Sequence, residues 1–141
     1  MRVSSKADYG VRALFDLALR FGQGPVQSRD IAQRQRISEA YLHQVLSALG
    51  RAGFVRSTRG PLGGHELIRE PSAITVWEVI AALDGLDPRS HPHWEGLPAE
   101  DPVHDVWHRL QAQSVEFLDG ITLETLAERH RSRAPVVNYS I

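Results

Sequence analysis

The fold is decided by residues 28–64, which read SRDIAQRQRISEAYLHQVLSALGRAGFVRSTRGPLGG. Ser28 is a suitable N-cap for a short helix over residues 28–34, and Ser38 is suited to cap a longer one because its side chain can accept a backbone N–H. Ile37 lies just before that second cap, at the position of a hydrophobic staple. We therefore expect a short helix, a turn and a longer helix, an arrangement that can place the second helix in a DNA groove.

The longer helix is predicted to have two faces of different chemistry. Apolar and polar residues each recur along it at i, i+3, i+4 and i+7, which is the period of an amphipathic helix. Small polar side chains on the exposed face are suited to contact base edges. The expected buried stripe is Leu42, Val45, Leu46 and Leu49, and the opposite face carries Ala40, His43, Gln44 and Ser47.

Two short strands are predicted after this helix, over residues 54–57 and 64–68, with the turn-forming segment TRGPLG between them. Arg59 at the tip can enter a minor groove, because narrow A·T-rich segments attract a guanidinium group. Gly60 and Pro61 allow the backbone to approach DNA closely. This pattern is typical of the β wing of a winged helix.

Further helices are predicted around this module, the first from its apolar stripe and the next two from the capping residues Thr75 and Asp101. They are expected over residues 4–20, 75–84 and 101–119, followed by a short helix from residue 122. The 101–119 helix is apolar on more than one face, so we expect it to pack against a second subunit of a homodimer. Its apolar residues are Val103, Val106, Trp107, Leu110, Val115, Phe117 and Leu118.

The predicted fold class is therefore mostly α, a winged helix-turn-helix with a two-stranded β wing and a long C-terminal dimerisation helix. The sequence divides into four parts. These are a winged helix-turn-helix DNA-binding domain over 1–85, a Pro/His-rich sensor loop over 86–102, dimerisation helices over 103–130 and a tail over 131–141.

Charge is distributed unevenly along the 141 residues, whose net charge is −1. Residues 1–70 carry 11 basic and 6 acidic side chains, whereas residues 71–141 carry 5 basic and 11 acidic ones. A basic half suits a polyanion such as double-stranded DNA. No apolar run approaches the roughly 18 residues of a membrane span, and the N-terminus lacks a signal-peptide core. We therefore expect a cytoplasmic protein with no membrane partner.

The candidate DNA contacts fall into groups by expected role. Ser38 and Tyr41 are assigned to the phosphate backbone, and His43, Gln44 and Ser47 to base edges, where Gln can pair bidentately with adenine. Arg59, Gly60 and Pro61 form the wing tip. Ser28 completes the set at the start of the short helix, and nonspecific attraction comes from Arg2, Lys6, Arg51 and Arg56.

Two other classes of function remain as alternatives. A protein–protein adaptor could retain this fold and have lost DNA binding, although the basic half and the wing arginine disfavour it. An enzyme is disfavoured because the chain contains no nucleophile elbow, phosphate loop or metalloprotease motif.

Five segments resemble the Rrf2 family of bacterial transcription regulators, in order and over nearly all of residues 1–130. The resemblance implies a winged-helix homodimer that represses or activates promoters, and two-fold symmetry implies a pseudo-palindromic operator. The segments are MRVSSKADYG (1–10), ISEAYLHQVL (37–46), RGPLGG (59–64), ITVWEVI (74–80) and FLDGITLETL (117–126).

The same resemblance directs attention to a cofactor. Many members hold an iron–sulfur cluster before the dimerisation helix with three cysteines and a fourth ligand, but this chain has no cysteine. A conventional cluster, which thiolates hold, is therefore not expected. In the family register Asp101 takes the place of the last cluster cysteine, His104 that of a histidine following it, and Asp8 that of a carboxylate ligand from the partner subunit.

Four of the seven histidines lie within 18 residues: His91, His93, His104 and His108. Imidazole and carboxylate ligands suit zinc, nickel, copper or ferrous iron. We hypothesise a metal or pH sensor formed by these histidines with Asp101. The alternatives are a solvent-exposed linker, ordinary hydrogen-bonding histidines at a dimer interface, and an apolar ligand pocket containing Trp94 and Trp107.

Overall fold

The computed structural model describes residues 3–85 and 100–133. This part of the chain contains helices and one two-stranded antiparallel sheet, so the predicted mostly helical winged-helix class is confirmed. The elements are α1 (Ser5–Leu19), α2 (Ser28–Gln35), α3 (Glu39–Arg51), β1 (Val55–Thr58), β2 (Gly64–Leu67), a 3-10 turn (Pro71–Ala73), α4 (Val76–Asp84), α5 (Pro102–Asp119) and α6 (Leu123–Arg133).

Three helix starts agree with the predicted capping residues. Ser38 Oγ accepts a hydrogen bond from the Tyr41 backbone N–H at 3.1 Å. Thr75 and Glu78 form a reciprocal capping box at the start of α4. Asp101 Oδ1 accepts from the Val103 N–H at 3.2 Å. These caps satisfy N–H groups that have no partner inside the helix.

The prediction that Ser28 caps α2 is wrong. The N-cap is Gln27, whose backbone is extended (φ −73°, ψ 141°), and no side chain caps this end. Ser28 is already the first helical residue. The final helix was predicted to be short, but α6 continues for 11 residues.

The core is built around α1, which packs against α2, α3, α4 and α6. Its buried side chains meet apolar residues from each of these helices and from the wing. Burying such side chains is the main source of stability, at about 25 cal/mol per Å² of apolar surface. The largest fully buried apolar side chains are Leu14, Leu17, Ile31, Leu42, Leu49, Ile74 and Leu123.

The wing is attached to the segment before α2 by backbone hydrogen bonds. Val26 N–H donates to the His65 carbonyl at 2.9 Å, and His65 N–H donates to the Val26 carbonyl at 2.7 Å. Gly64 has φ +150°, and a Cβ there would lie 2.5 Å from the Val26 carbonyl oxygen. This close approach requires glycine, and it holds the wing beside α2.

Helix α5 joins the winged helix at its C-terminal end. Thr75 Oγ1 donates to Asp119 Oδ1 at 3.1 Å, and the Val76 N–H donates to the Ile121 carbonyl at 2.8 Å. None of the residues of α5 is buried. Large apolar side chains therefore remain exposed along it, namely Val103, Val106, Trp107, Leu110 and Phe117. No helix in the described ranges is long and apolar enough to cross a membrane.

Candidate nucleic-acid interface

Helix α3 separates its two stripes as the sequence predicts. Its apolar stripe is buried, with Leu42 and Leu49 fully inaccessible. The residues of the opposite stripe are exposed, namely Ala40, His43, Gln44 and Ser47. A buried stripe fixes the helix on the domain, and the exposed polar stripe is then free to enter a groove.

The first turn of α3 is held by two contacts. Ser38 Oγ accepts a hydrogen bond from the Tyr41 N–H. The Ser38 hydroxyl proton can therefore still be donated to an outside acceptor such as a phosphate. The half-buried Tyr41 ring packs edge-to-face on Tyr9 of α1, with 5.4 Å between centroids and 77° between planes. The two contacts orient the helix end that is expected to point at DNA.

On the side towards the wing, His43 lies beside a carboxylate that the sequence analysis did not single out. His43 Nε2 is 3.7 Å from Glu39 Oε1, one turn earlier on α3. Both side chains are about half exposed, so this contact contributes little to stability. The i, i+4 spacing of an acid and a histidine was the available signal.

Further along α3, Ser47 and Arg51 are linked. Arg51 Nη1 donates to Ser47 Oγ at 2.8 Å. The hydrogen bond occupies a lone pair of Ser47 and orients the Arg51 guanidinium along the exposed stripe. The sequence alone predicts only nonspecific attraction for Arg51.

The wing tip is closed by a turn in which the Gly63 N–H donates to the Gly60 carbonyl at 2.9 Å. Arg59, Gly60 and Pro61 are all exposed. Gln27 Nε2 donates to the Pro61 carbonyl at 3.4 Å and so connects the tip to the start of α2. The sequence-predicted wing residues therefore share one exposed loop.

At the base of the wing, the half-buried His65 contacts β1. His65 Nδ1 and Ser57 Oγ are 2.8 Å apart and share a hydrogen bond. Burial lowers the pKa of His65, and the nearby His43 lowers it further. A groove of about 290 Å³ separates the wing from α2 and α3, and it brings Ser28 beside Glu39, Gly60 and His65.

The candidate sensor residues are only partly within the described ranges. Asp8 on α1 forms an ion pair with Arg12 at 2.9 Å, and Asp101 caps α5. The His104 and His108 rings are stacked, 6.2 Å between centroids. Residues 3–85 and 100–133 contain no cluster of three or more ligand-type side chains suited to a metal. Three predicted site residues, Arg2, His91 and His93, lie outside the described residues.

Comparison with known proteins agrees with this geometry. The family model Rrf2, described as iron-dependent transcriptional regulator, matches residues 3–129. The HTH-type transcriptional regulator CymR of Bacillus subtilis (strain 168) is 41% identical over 128 residues, which cover 90% of either chain. The HTH-type transcriptional regulator IscR of Aliivibrio salmonicida (strain LFI1238) is 41% identical over 129 residues, covering 89% of this chain and 77% of that protein.

Solved structures give the same result. The structure of CymR (YrzC), the global cysteine regulator of B. subtilis, has a TM-score of 0.81 and 38% identity, covering 92% of this chain and 98% of that one. The T. potens IscR structure has a TM-score of 0.78 and 39% identity, covering 92% and 88%. The chain belongs to the Rrf2 family. It is a DNA-binding transcription regulator, and these relatives do not favour an adaptor that has lost DNA.

Proposed function

We propose that this regulator acts in the cytoplasm as a homodimer on pseudo-palindromic operators and carries no catalytic activity. The observation behind the proposal is the exposed apolar stripe of α5. Val103, Trp107, Leu110 and Phe117 are between 46% and 68% exposed. A protein of this size does not ordinarily leave so many large apolar side chains in water, unless they form an interface.

The spacing of that stripe suits pairing with a second α5. Together with Ser114, these residues recur at alternating intervals of four and three, which is the spacing that places side chains on the seam between two paired helices. The helix has 18 residues, or about 27 Å at 1.5 Å per residue. A symmetric pair of such helices would present two α3 helices to one face of DNA.

In this dimer each α3 enters a major groove and each wing reaches the adjacent minor groove. Ser28, Ser38 and Tyr41 lie at helix starts that would face phosphates. His43, Gln44 and Ser47 would face base edges. Arg59, with Gly60 and Pro61, would contact the minor groove, while Arg2 and Arg51 would add phosphate contacts.

The dimer is tested with a charge placed on the stripe. Leu110→Glu should give a monomer by light scattering and should weaken binding to a duplex selected from a random library. Arg109→Gln is the matched control, because Arg109 lies about 100° round α5 from Leu110, is 74% exposed and pairs with Asp105. A monomeric wild-type protein, or a Leu110→Glu protein that stays dimeric, would contradict the proposal.

We further propose that the regulatory signal is sensed by residues 86–108. The family description names iron, but a thiolate-held cluster does not fit a chain without cysteine. The imidazoles of His104 and His108, one turn apart on α5, and the carboxylate of Asp101 are ligand types that suit a divalent metal better. His91 and His93, and Asp8 of the partner subunit, are the further candidate ligands in this proposal.

Metal content decides this second proposal. Protein purified without chelator, or titrated with Zn²⁺, Ni²⁺ or Fe²⁺ and then dialysed, should retain metal at a fixed ratio to subunits. His104→Ala with His108→Ala should abolish retention, whereas His130→Ala on α6 should not. Dialysed wild-type protein that holds no metal would overturn the proposal.

A further inference from the structure

We propose that Lys6 and Arg51 hold the sugar-phosphate backbone of one DNA strand in a groove between α1 and α3, on the side of α3 that is nearer to α1. The inference rests on the proposed DNA binding by α3. It adds a second phosphate-binding surface beside that helix. It assigns Lys6, which lies outside the helix-turn-helix, a direct contact.

The groove is a feature of the described surface next to the α3 stripe. It has a volume of about 560 Å³ and no carboxylate in its lining. Its permanently cationic side chains are Lys6 from α1 and Arg51 from α3. The lining residues are Lys6, His43, Gln44, Ser47, Ala48 and Arg51.

Helix α1 carries Lys6 to this position because it crosses α3 closely. Tyr9, three residues after Lys6, packs on Tyr41. One turn along, a Cβ at Gly10 would be in ordinary van der Waals contact with Val45 of α3, 3.8 Å from its Cγ1. Residues three apart share a helix face, so Lys6 extends from the crossing towards the exposed stripe.

The two cations of the groove are available for a ligand. Among the described residues neither Lys6 nor Arg51 forms an ion pair, and Arg51 is instead oriented by Ser47. Many other cations of the described surface are neutralised by a carboxylate. The pairs are Arg12–Asp8, Arg20–Asp16, Arg34–Asp16, Arg56–Glu66, Arg69–Glu78, Arg109–Asp105 and Arg131–Glu124.

The geometry points to a phosphate backbone as the occupant. Glu39 on α3 lines the groove beside the wing, whereas Tyr41 of α3 contacts α1. A helix in a major groove about 12 Å wide lies between two phosphate strands. The wing with Arg59 would take one side of α3, and Lys6 with Arg51 would take the strand on the other side.

The test uses a 30-bp duplex of mixed sequence, because phosphate contacts do not depend on base sequence. Binding is measured by fluorescence anisotropy from 50 to 300 mM KCl. Each phosphate contact contributes about 0.9 to the slope of log affinity against log salt. Lys6→Gln and Arg51→Gln should each reduce the magnitude of the slope by about 0.9 per subunit. Lys6→Arg keeps the charge and should leave the slope at the wild-type value.

Arg12→Gln is the matched control, since it removes one cation from α1 that already pairs with Asp8. Its slope should equal that of the wild type. Equal slopes for Lys6→Gln, Arg51→Gln and Arg12→Gln would overturn the inference, provided that all unfold at the wild-type temperature. If Arg59→Ala nevertheless lost affinity, α3 and the wing would remain the DNA interface and only the groove at Lys6 would be excluded. A wild-type protein that binds no duplex would instead contradict both.

Discussion

The Arg34 guanidinium donates two hydrogen bonds to the Asp16 carboxylate, from Nε to Oδ1 at 3.0 Å and from Nη2 to Oδ2 at 2.9 Å. Asp16 is only 1% exposed, and Gln35 Nε2 donates to its Oδ1 at 3.2 Å. The contact joins α1 to α2, the first helix of the helix-turn-helix, and the hydrogen bond to Asp16 raises the pKa of Arg34.

Arg34→Ala should therefore lower the free energy of unfolding, because it leaves a buried carboxylate partly uncompensated. We expect a loss of about 3 kcal/mol, the lower end for breaking a buried pair, since Arg20 and Gln35 still contact Asp16. Urea unfolding measures the change. Arg12→Ala, which breaks an exposed pair, should cost less than about 0.5 kcal/mol. Equal effects of the two variants would contradict this account.

Gln44→Ala should reduce discrimination between operator and nonspecific DNA more than it reduces nonspecific affinity. Gln44 is exposed on the α3 stripe, and one bidentate base contact is worth about 1–3 kcal/mol of discrimination. Competition gel shifts with a selected duplex and a scrambled duplex measure the ratio. A uniform loss on both duplexes would assign Gln44 to the phosphate backbone instead.

Arg59→Ala should weaken operator binding and relax the preference for A·T pairs beside each half-site. The Arg59 side chain is exposed at the wing tip, and a narrow A·T-rich minor groove attracts guanidinium groups. Binding to duplexes that differ only in these flanking pairs tests the prediction. Arg56→Ala is the control, because Arg56 pairs with Glu66 on the neighbouring strand. An unchanged A·T preference in Arg59→Ala would rule out this role.

Stability should fall as the pH drops through the titration of His65. Burial, and then the charge of His43, lower the pKa of His65 below its ordinary 6.5, so the folded state favours the neutral ring. The contribution of the neutral His65 ring to the free energy of unfolding is complete above pH 6.5. It is lost as the pH falls through the lowered pKa of the folded state, because the unfolded chain binds the proton more tightly. Ser57 on β1 shares a hydrogen bond with His65, Glu39 contacts His43, and Arg29 lines the same groove as His65.

The measurement is urea unfolding of wild type and His65→Gln between pH 8 and 5. The wild type should lose more stability than the variant over this range. Parallel curves would show that His65 does not carry the dependence.

Local patterns in the sequence predicted those parts of the fold that depend on local chemistry. Ser38 and Thr75 cap helices as expected, because a cap needs only a side chain and the next turn. Ser28 was predicted wrongly as a cap because the cap is the residue whose backbone is still extended, which here is Gln27, and side-chain type alone does not determine that conformation. The prediction of the α3 stripes succeeded because helical periodicity separates buried from exposed residues.

Relationships between distant residues could not be predicted in this way. The groove at Lys6 depends on how α1 crosses α3, which follows from packing at Gly10 and Tyr9. The buried role of Asp16 depends on Arg34, eighteen residues later, and no short motif relates the two. The count of charged residues shows that residues 1–70 are basic. It does not show which of those cations are paired with a carboxylate, because pairing depends on the fold.

Helix α5 meets the winged helix at Asp119, which accepts a hydrogen bond from the N-cap of α4, while His104 lies fifteen residues away near its other end. These two points are about 22 Å apart along the axis of α5. A tilt of 5° about Asp119 displaces His104 by about 2 Å, by the same geometry. If the proposed sensor pulls on His104, the displacement would therefore act on Thr75 and, through α4, on α1, the helix that α4 contacts most extensively.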